Sequence, residues 1–237
     1  MVTYDGNLNP IYPEHTFLGQ ISPETKAELE RLWTPTRYSA KQIVLSTEET
    51  SLDVLFLLEG DVRVANYSPK GREVLFSNIE EGDCFGEFAV IDGAPRSANV
   101  QATTACRMAR VGEGPFREML ARRPDMSMAI MRRLVAKLRE MTQRVSDFTA
   151  LRADDRIRLE FVRMFRAVQR SDGSALIDRP PTQAELAARV FTNREAVARE
   201  VGQMRKRGLL DKEGRAMIVP SVDALEAYQI ERANREE

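Results

Sequence analysis

Between about Tyr38 and Val111 the chain is cut by turns into short β-type runs, and this texture limits the fold more than any other feature. The runs are Ile43–Leu45, Val54–Leu58, Val62–Tyr67, Glu73–Ile79 and Asn99–Val111. Turns at Glu59-Gly60-Asp61, Pro69-Lys70-Gly71 and Glu81-Gly82-Asp83 separate them. Many short strands at near-even spacing predict a closed or rolled sheet. One stretch breaks the series: Gly82-Asp83-Cys84-Phe85-Gly86-Glu87-Phe88-Ala89, followed by Pro95-Arg96-Ser97-Ala98. It belongs on the sheet's rim as an insert between strands, where a pocket forms readily in the mouth of a barrel.

The residue types in that insert suit a small sugar phosphate. Gly86 has no Cβ and lets backbone approach a ligand. Glu87 accepts a hydrogen bond from a sugar hydroxyl. Arg96 offers a planar fork of donors to a phosphate, and Ser97 and the Ala98 amide can add more. A plain Arg-Glu surface pair beside a hairpin would use the same residues without a ligand. The fuller pattern Phe85-Gly86-Glu87-Phe88-Ala89 with Pro95-Arg96-Ser97-Ala98 resembles the phosphate-binding cassette of cyclic-nucleotide-binding domains. That resemblance implies a 3′,5′-cyclic nucleotide as allosteric ligand. Cyclic AMP is favoured and cyclic GMP is the other candidate, because Ser97 stands where cyclic-GMP domains carry threonine.

Helical patterns flank the β region. Ser22-Pro23-Glu24 opens a short helix, with Leu29, Leu32 and Trp33 at helical spacing. Residues 1–20 read as an irregular arm. Pro115–Arg122 is helical, and a long helix is expected after Pro124. Its apolar residues Ile130, Leu134, Leu138, Met141, Val145 and Phe148 come close to a heptad seam, which predicts either a two-helix dimer contact or packing on its own domain. A new helix is expected from Arg156 to Gln169, capped by an acidic residue of Asp154-Asp155. Residues 222–237 read as a short, fraying, charged helix.

Net charge is −1 overall, yet residues 152–221 hold 15 Lys and Arg against 10 Asp and Glu. A basic block in a neutral chain is the footprint of a polyanionic partner. Within it Thr182-Gln183-Ala184-Glu185 forms a capping box ahead of one helix, and Asn193 caps the next. The second helix bears Arg194, Glu195 and Arg199 in its first turns. Arginine can bond guanine O6 and N7 together, and glutamate can accept from the cytosine amine. Two helices, a tight turn at Val190–Thr192 and a following hairpin predict a winged helix-turn-helix.

Arg194-Glu195-Ala196-Val197-Ala198-Arg199 resembles the recognition helix of the Crp/Fnr family of transcription regulators, close to its cyclic-AMP-receptor branch. The resemblance spans roughly residues 20–220. It implies an α+β protein: a cyclic-nucleotide-binding β-roll (a jelly-roll-like double-stranded β-helix) over 21–123, a dimerisation helix over 124–151 and a winged helix-turn-helix over 152–221. It implies a homodimer on a palindromic site of double-stranded DNA, read in the major groove, with RNA polymerase as a further partner. It assigns Thr182 to a backbone phosphate. It also places Met141 and Thr142 where the family reads adenine, and of the two only Thr142 has a hydroxyl to do so. Phe191 departs from the small residue usual in the turn.

Other classes fit poorly. His15 is the single histidine, and Cys84 and Cys106 lie too far apart for a metal-ligand pair, so neither a metal site nor catalysis is expected. No enzyme of the sugar phosphate is expected, for want of a general base or activated nucleophile. No apolar run approaches a membrane span, and free thiols fit the cytoplasm. The iron–sulfur branch of the family needs an N-terminal cysteine group that this sequence lacks.

Overall fold

The structure, a computed structural model, describes residues 2–4, 10–67 and 73–234. The expected turn at Pro69-Lys70-Gly71 lies outside them. The chain divides into two compact units, the first ending at Arg139 and the second beginning at Glu140.

The first unit begins with a strand pair, β1 (Thr3–Tyr4) and β2 (Pro10–Ile11), and two helices, α1 (Phe17–Gln20) and α2 (Pro23–Glu30). Thr16 caps α1, and Ser22 caps α2 by accepting from Thr25 N at 3.2 Å, with Pro23 in the first turn. The stretch expected as an irregular arm thus contains regular structure, and its Tyr12, Phe17 and Leu18 are buried.

Strands β3 (Thr34–Tyr38), β4 (Ile43–Leu45), β5 (Val54–Glu59), β6 (Val62–Tyr67), β7 (Glu73–Ile79) and β8 (Cys84–Phe85) follow. After a short helix α3 (Glu87–Asp92) come β9 (Asn99–Ala102) and β10 (Cys106–Val111). They form two four-stranded antiparallel sheets, in the orders β3-β10-β5-β8 and β4-β9-β6-β7. The expected single run Asn99–Val111 is therefore two strands in different sheets. Its corner is fixed on the Gly60-Asp61 turn: Thr103 N donates to Asp61 O and Asp61 N to Thr104 Oγ1, both at 2.9 Å. Strand β3 was not expected, because Pro35 and its polar neighbours disguise it. Among the described residues it pairs with β10 alone, and an edge strand tolerates proline.

Strand β5 explains why the rolled sheet holds together. Leu55 and Leu57 face Val62, Val64, Val100 and Met108 between the two sheets. Val54 and Phe56 face the other way, into a cluster with Phe17, with Phe116 of α4 (Glu113–Arg122) and with Met126 of α5 (Pro124–Ala150). A strand covered on both faces reads as a continuous apolar run rather than an alternating one. The Phe56 ring lies 5.6 Å from Phe17, 6.2 Å from Trp33 and 6.3 Å from Phe116, centroid to centroid.

The start of α5 is pinned to α2. Its Asp125 carboxylate accepts from Ser22 N at 2.9 Å and from Thr25 Oγ1 at 3.0 Å. The expected seam along α5 needs correction. Ile130 is buried and Leu134 packs on the first unit's own core, so neither is free for a partner. The exposed large apolar residues are Met128, Met131, Val135, Leu138, Val145 and Phe148. With exposed Thr142 inserted, Met128 to Val145 are spaced 3, 4, 3, 4 and 3 along the helix, which is a heptad stripe. Sequence spacing alone had merged the core-facing row with the exposed one, since both repeat at helical period.

In the second unit, helices α6 (Ala153–Arg166), α7 (Gln183–Arg189), α8 (Arg194–Lys206) and α9 (Val222–Asn234) surround a core with a small antiparallel sheet. That sheet orders β11 (Ala175–Ile177), β13 (Ala216–Val219) and β12 (Asp211–Glu213). Helix α6 begins earlier than expected. Asp154 and Asp155 do not cap it but lie in its first turn, where a helix N-terminus favours negative charge. The described part of the expected charged tail, residues 222–234, is the helix α9, and its Val222, Leu225 and Tyr228 are buried in the core rather than standing off from it.

Phe56→Ala should cost about 3–5 kcal/mol, because it empties the space between sheet and helices. Urea unfolding of the intact protein followed by Trp33 fluorescence checks this. A loss under about 1 kcal/mol would mean that Phe56 does not organise this core.

Candidate functional site

The first unit contains a cavity of about 480 Å³, its open mouth included, at the rim of the roll. It brings together Gly86, Glu87, Phe88, Arg96, Ser97 and Ala98, all six expected from sequence. Its apolar wall comes from Leu45, Val64, Phe85 and Val100. The insert expected between strands is in part a helix, α3, with Gly86 as its N-cap residue at φ +86°. A Cβ on Gly86 would stand 2.7 Å from Arg96 Nη1 and 2.9 Å from the Asp53 carbonyl oxygen. The glycine is needed, but for room toward Arg96 rather than toward a ligand directly.

Arg96 is only 5% exposed. Its Nη1 donates to Gly86 O and its Nη2 to Asp53 O, both at 2.8 Å. Arg96 is thus a strut between the cassette and the start of β5 as well as a candidate phosphate donor. Its Nε is buried without a hydrogen-bond partner among the described residues. A guanidinium has five N–H donors, so two carbonyls leave three for a ligand. Burial lowers the Arg96 pKa, against the opposing pull of Glu49, Asp53 and Glu87. An anion in the cavity would relieve both the missing bond and the uncompensated charge.

Glu87 is also buried, and burial raises its pKa, with Arg133 and then Lys137 opposing the rise. These two cations reach the cavity from α5, and Lys137 lies 5.7 Å from the centre of the Phe88 ring. Sequence reading had left them as flanking charges. The available signal was their spacing: they stand four residues apart and adjoin core-facing Leu134 and exposed Leu138 on the same helix. Cys84 is fully buried and its thiol pKa is raised by that burial, so it is no nucleophile at neutral pH.

The second unit supplies a different surface. Thr182 and Glu185 close the expected capping box: Thr182 N donates to Glu185 Oε2 at 2.7 Å, and Glu185 N to Thr182 Oγ1 at 3.2 Å. The Thr182 hydroxyl also donates to Glu185 Oε2 at 2.9 Å, so contact with a phosphate requires it to turn. Asn193 Oδ1 caps α8 by accepting from Ala196 N at 2.8 Å. Helix α8 then buries Ala196, Val197, Glu200, Val201 and Met204 on one face. Arg194, Glu195 and Arg199 are exposed, as are Arg205 and Lys206 in its last turn.

Two features missed in the sequence hold that helix. Glu200 and Asp155 clasp fully buried Arg158 of α6 at 3.0 and 2.6 Å. Burial opposes the arginine's charge, but the two carboxylates outweigh it and raise its pKa. The turn before α8 is the second. Phe191 takes φ +53°, a left-handed conformation unusual for a bulky residue. Arg156 secures it by donating from Nε to Val190 O at 2.9 Å and from Nη2 to Phe191 O at 3.1 Å. The Phe148 ring meets Phe191 edge-on at 5.5 Å. The departure noted at Phe191 thus keeps the geometry that a glycine would give, with outside support.

Residues 35–123 match the family model of the cyclic nucleotide-binding domain, and residues 132–228 match that of the Crp-like helix-turn-helix domain. The chain belongs to the Crp/Fnr family. Among curated relatives, the CRP-like cAMP-activated global transcriptional regulator of Mycobacterium tuberculosis is 24% identical over 206 residues, covering 86% of this chain and 92% of that protein. The cAMP-activated global transcriptional regulator CRP of Pasteurella multocida is 26% identical over 187 residues, covering 77% and 88%. Two solved structures share the fold. A CooA mutant from Carboxydothermus hydrogenoformans has a TM-score of 0.73 at 18% identity, covering 85% of this chain and 89% of that one. The c-di-GMP responsive global regulator CLP of Xanthomonas campestris has a TM-score of 0.71 at 18% identity, covering 84% and 99%.

This Crp/Fnr protein is a cyclic-nucleotide-binding transcription regulator, and its relatives are regulators rather than enzymes. Among the described residues no helix is long and apolar enough to cross a membrane, and no His, Cys, Asp and Glu group could hold a metal.

Arg96→Ala should destabilise the ligand-free protein by about 1–3 kcal/mol, since two buried carbonyls lose their donor. Gly86→Ala should do likewise, through strain at φ +86° and the clash with Arg96. Thermal unfolding without ligand checks both, and unchanged melting would show that Arg96 is no strut.

Proposed function

We propose that this regulator binds one 3′,5′-cyclic nucleotide per chain, cyclic AMP in preference to cyclic GMP, and acts as a homodimer on a palindromic DNA site. The observation on which this rests is the cavity's polar equipment. A buried arginine with an unused Nε–H and a buried glutamate line one cavity, with Arg133 and Lys137 beside them and an apolar wall of Leu45, Val64, Phe85 and Val100. The formal charges of Arg96, Arg133, Lys137, Glu87 and the neighbouring Asp83 leave one positive charge, matched to a cyclic phosphodiester with one negative charge. A second phosphate would have no such partner.

In this reading Arg96, with Ser97 and the Ala98 amide, holds the phosphate, and Glu87 accepts from the sugar hydroxyl. Thr142 supplies the base contact. Its support is the exposed heptad stripe of α5, on which it is the polar member between Leu138 and Val145. A polar residue at a coiled-coil seam position fixes register, and here it can also meet a ligand. Met141 is half-buried beside the stripe and plays the smaller part in base choice. Each α5 pairing with its counterpart covers the stripe. Ligand at the seam then favours one arrangement of the two DNA-binding units.

The exposed side chains of Arg194, Glu195 and Arg199 read bases, while Thr182 and the Asn193 side-chain amide hold backbone phosphates. Two such helices one duplex turn apart, ~34 Å, enter successive major grooves. Contact with RNA polymerase and a cytoplasmic location belong to the same reading.

Titrating a palindromic operator with the protein alone, with cyclic AMP, with cyclic GMP and with cyclic di-GMP tests it. Tight binding should need cyclic AMP. Equal binding in all arms would make the protein a ligand-independent regulator of the same fold. On that operator Arg199→Ala should cost about 1–3 kcal/mol per half-site and relax preference at one base pair. Uniform loss over a panel of half-site variants at fixed salt would demote Arg199 to a phosphate contact.

A further inference from the structure

Arg133 lies on α5, one turn before Lys137, and reaches into the strand that leads to the cassette. Its Nη1 pairs with the Asp83 carboxylate, and its Nη2 donates to Cys84 O at 3.1 Å. The same Asp83 oxygen accepts from Phe17 N at 3.0 Å, at the start of α1. One carboxylate therefore joins α1, the cassette strand and α5. Arg133 also lines the ligand cavity with Glu87, and its Nε is buried with no hydrogen-bond partner among the described residues. Strand β8 is two residues long and, among the described residues, pairs with β5 alone, where Leu57 N also donates to Asp83 O at 2.9 Å; Arg133 ties the same segment to α5.

We propose that Arg133 is a positioning residue of the nucleotide site, which holds the Asp83-Cys84 segment in register against α5 where the cavity is lined by Glu87. The inference rests on the cyclic-nucleotide reading for its ligand, but its structural half stands without one. Cassette and α5 share a guanidinium, so a shift of either is felt by the other. Ligand binding thereby depends on α5 through a contact inside one chain, separate from any contact across a seam.

The groups facing Glu87 set the direction of a pH effect. Burial raises its pKa, Arg133 is the strongest opposing cation, Lys137 is second, and Asp83 adds to the rise. Arg96 and Cys84 are the other titratable neighbours, the first always cationic and the second neutral. An ionised glutamate is the stronger acceptor, so ligand affinity falls as pH falls through the Glu87 pKa. Removing Arg133 raises that pKa further, and the fall must then begin at higher pH.

Two measurements on the full chain decide the matter, comparing the parent, Arg133→Gln and Arg133→Lys. The first needs no ligand: alkylation of Cys84, identified by mass spectrometry. The fully buried thiol should react at least ~10-fold faster in Arg133→Gln, as the segment loses its charge-assisted bonds. Cys106, bonded to Asp61 O, should react as before and so reports that the fold is intact. The second is calorimetric titration with cyclic AMP over a pH series. Arg133→Gln should bind roughly tenfold or more weakly, with its acid loss displaced to higher pH. Arg133→Lys should keep most of the pH profile but not the Cys84 protection, since a lysine keeps the charge without the fork. Unchanged Cys84 reactivity, or a weakened site with an unmoved pH profile, overturns the proposal. Failure of the parent to bind cyclic AMP would refute the nucleotide reading, and the alkylation rates would still decide whether Arg133 holds the segment.

Discussion

The cavity at the rim of the roll is organised by what a buried guanidinium requires. An arginine inside a protein must find acceptors for a rigid fork of donors, and Arg96 finds two in the carbonyls of Gly86 and Asp53. That choice dictates its surroundings. Position 86 must be glycine, at positive φ, because the guanidinium occupies the space of a Cβ. Strand β5 must begin near the cassette, because Asp53 immediately precedes it. The donors left over point the site toward an anion. The family's cassette pattern is thus a packing solution before it is a ligand-binding one.

Helix α8 depends on a comparable solution in the second unit. Arg158 is fully buried, and without Glu200 and Asp155 it would be an uncompensated charge in the core. Breaking such a set by removing one partner costs about 3–5 kcal/mol, although an apolar replacement of the whole set could be as stable. What the ions add over apolar packing is direction. Glu200 lies one residue after Arg199, so a fixed Glu200 fixes how α8 is rolled and which residues face outward. The Phe191 turn does the same for the helix start, with Arg156 holding two carbonyls in place of the freedom a glycine would have.

Much of this was legible in the sequence, and the pattern of misses is physical. The short strands, both capping sequences and the six cassette residues followed from local rules, because turns, caps and glycines act over a few residues. The corner that splits Asn99–Val111 depends on Asp61, some forty residues away, and no local signal records it. Strand β3 was hidden because edge strands accept the polar residues and proline that argue against a strand elsewhere. The α5 seam was misread because two apolar rows share one period, and only the neighbours of Ile130 and Leu134 show which row is already covered. Arg133, Arg156 and Arg158 were invisible for a common reason. A charged residue on a helix looks solvated until the fold supplies a carboxylate or carbonyl from elsewhere in the chain.

The central claim is that a buried Arg96, held by two carbonyls, has binding capacity left for one cyclic phosphate. Calorimetric titration of the parent and of Arg96→Lys with cyclic AMP, at a temperature where both are folded, tests it most directly. A lysine keeps the charge but cannot serve two carbonyls and a phosphate from one planar group. The account predicts one nucleotide per chain for the parent and at least roughly tenfold weaker binding for the variant. Equal affinity in the two proteins, or no binding by the folded parent, would contradict it.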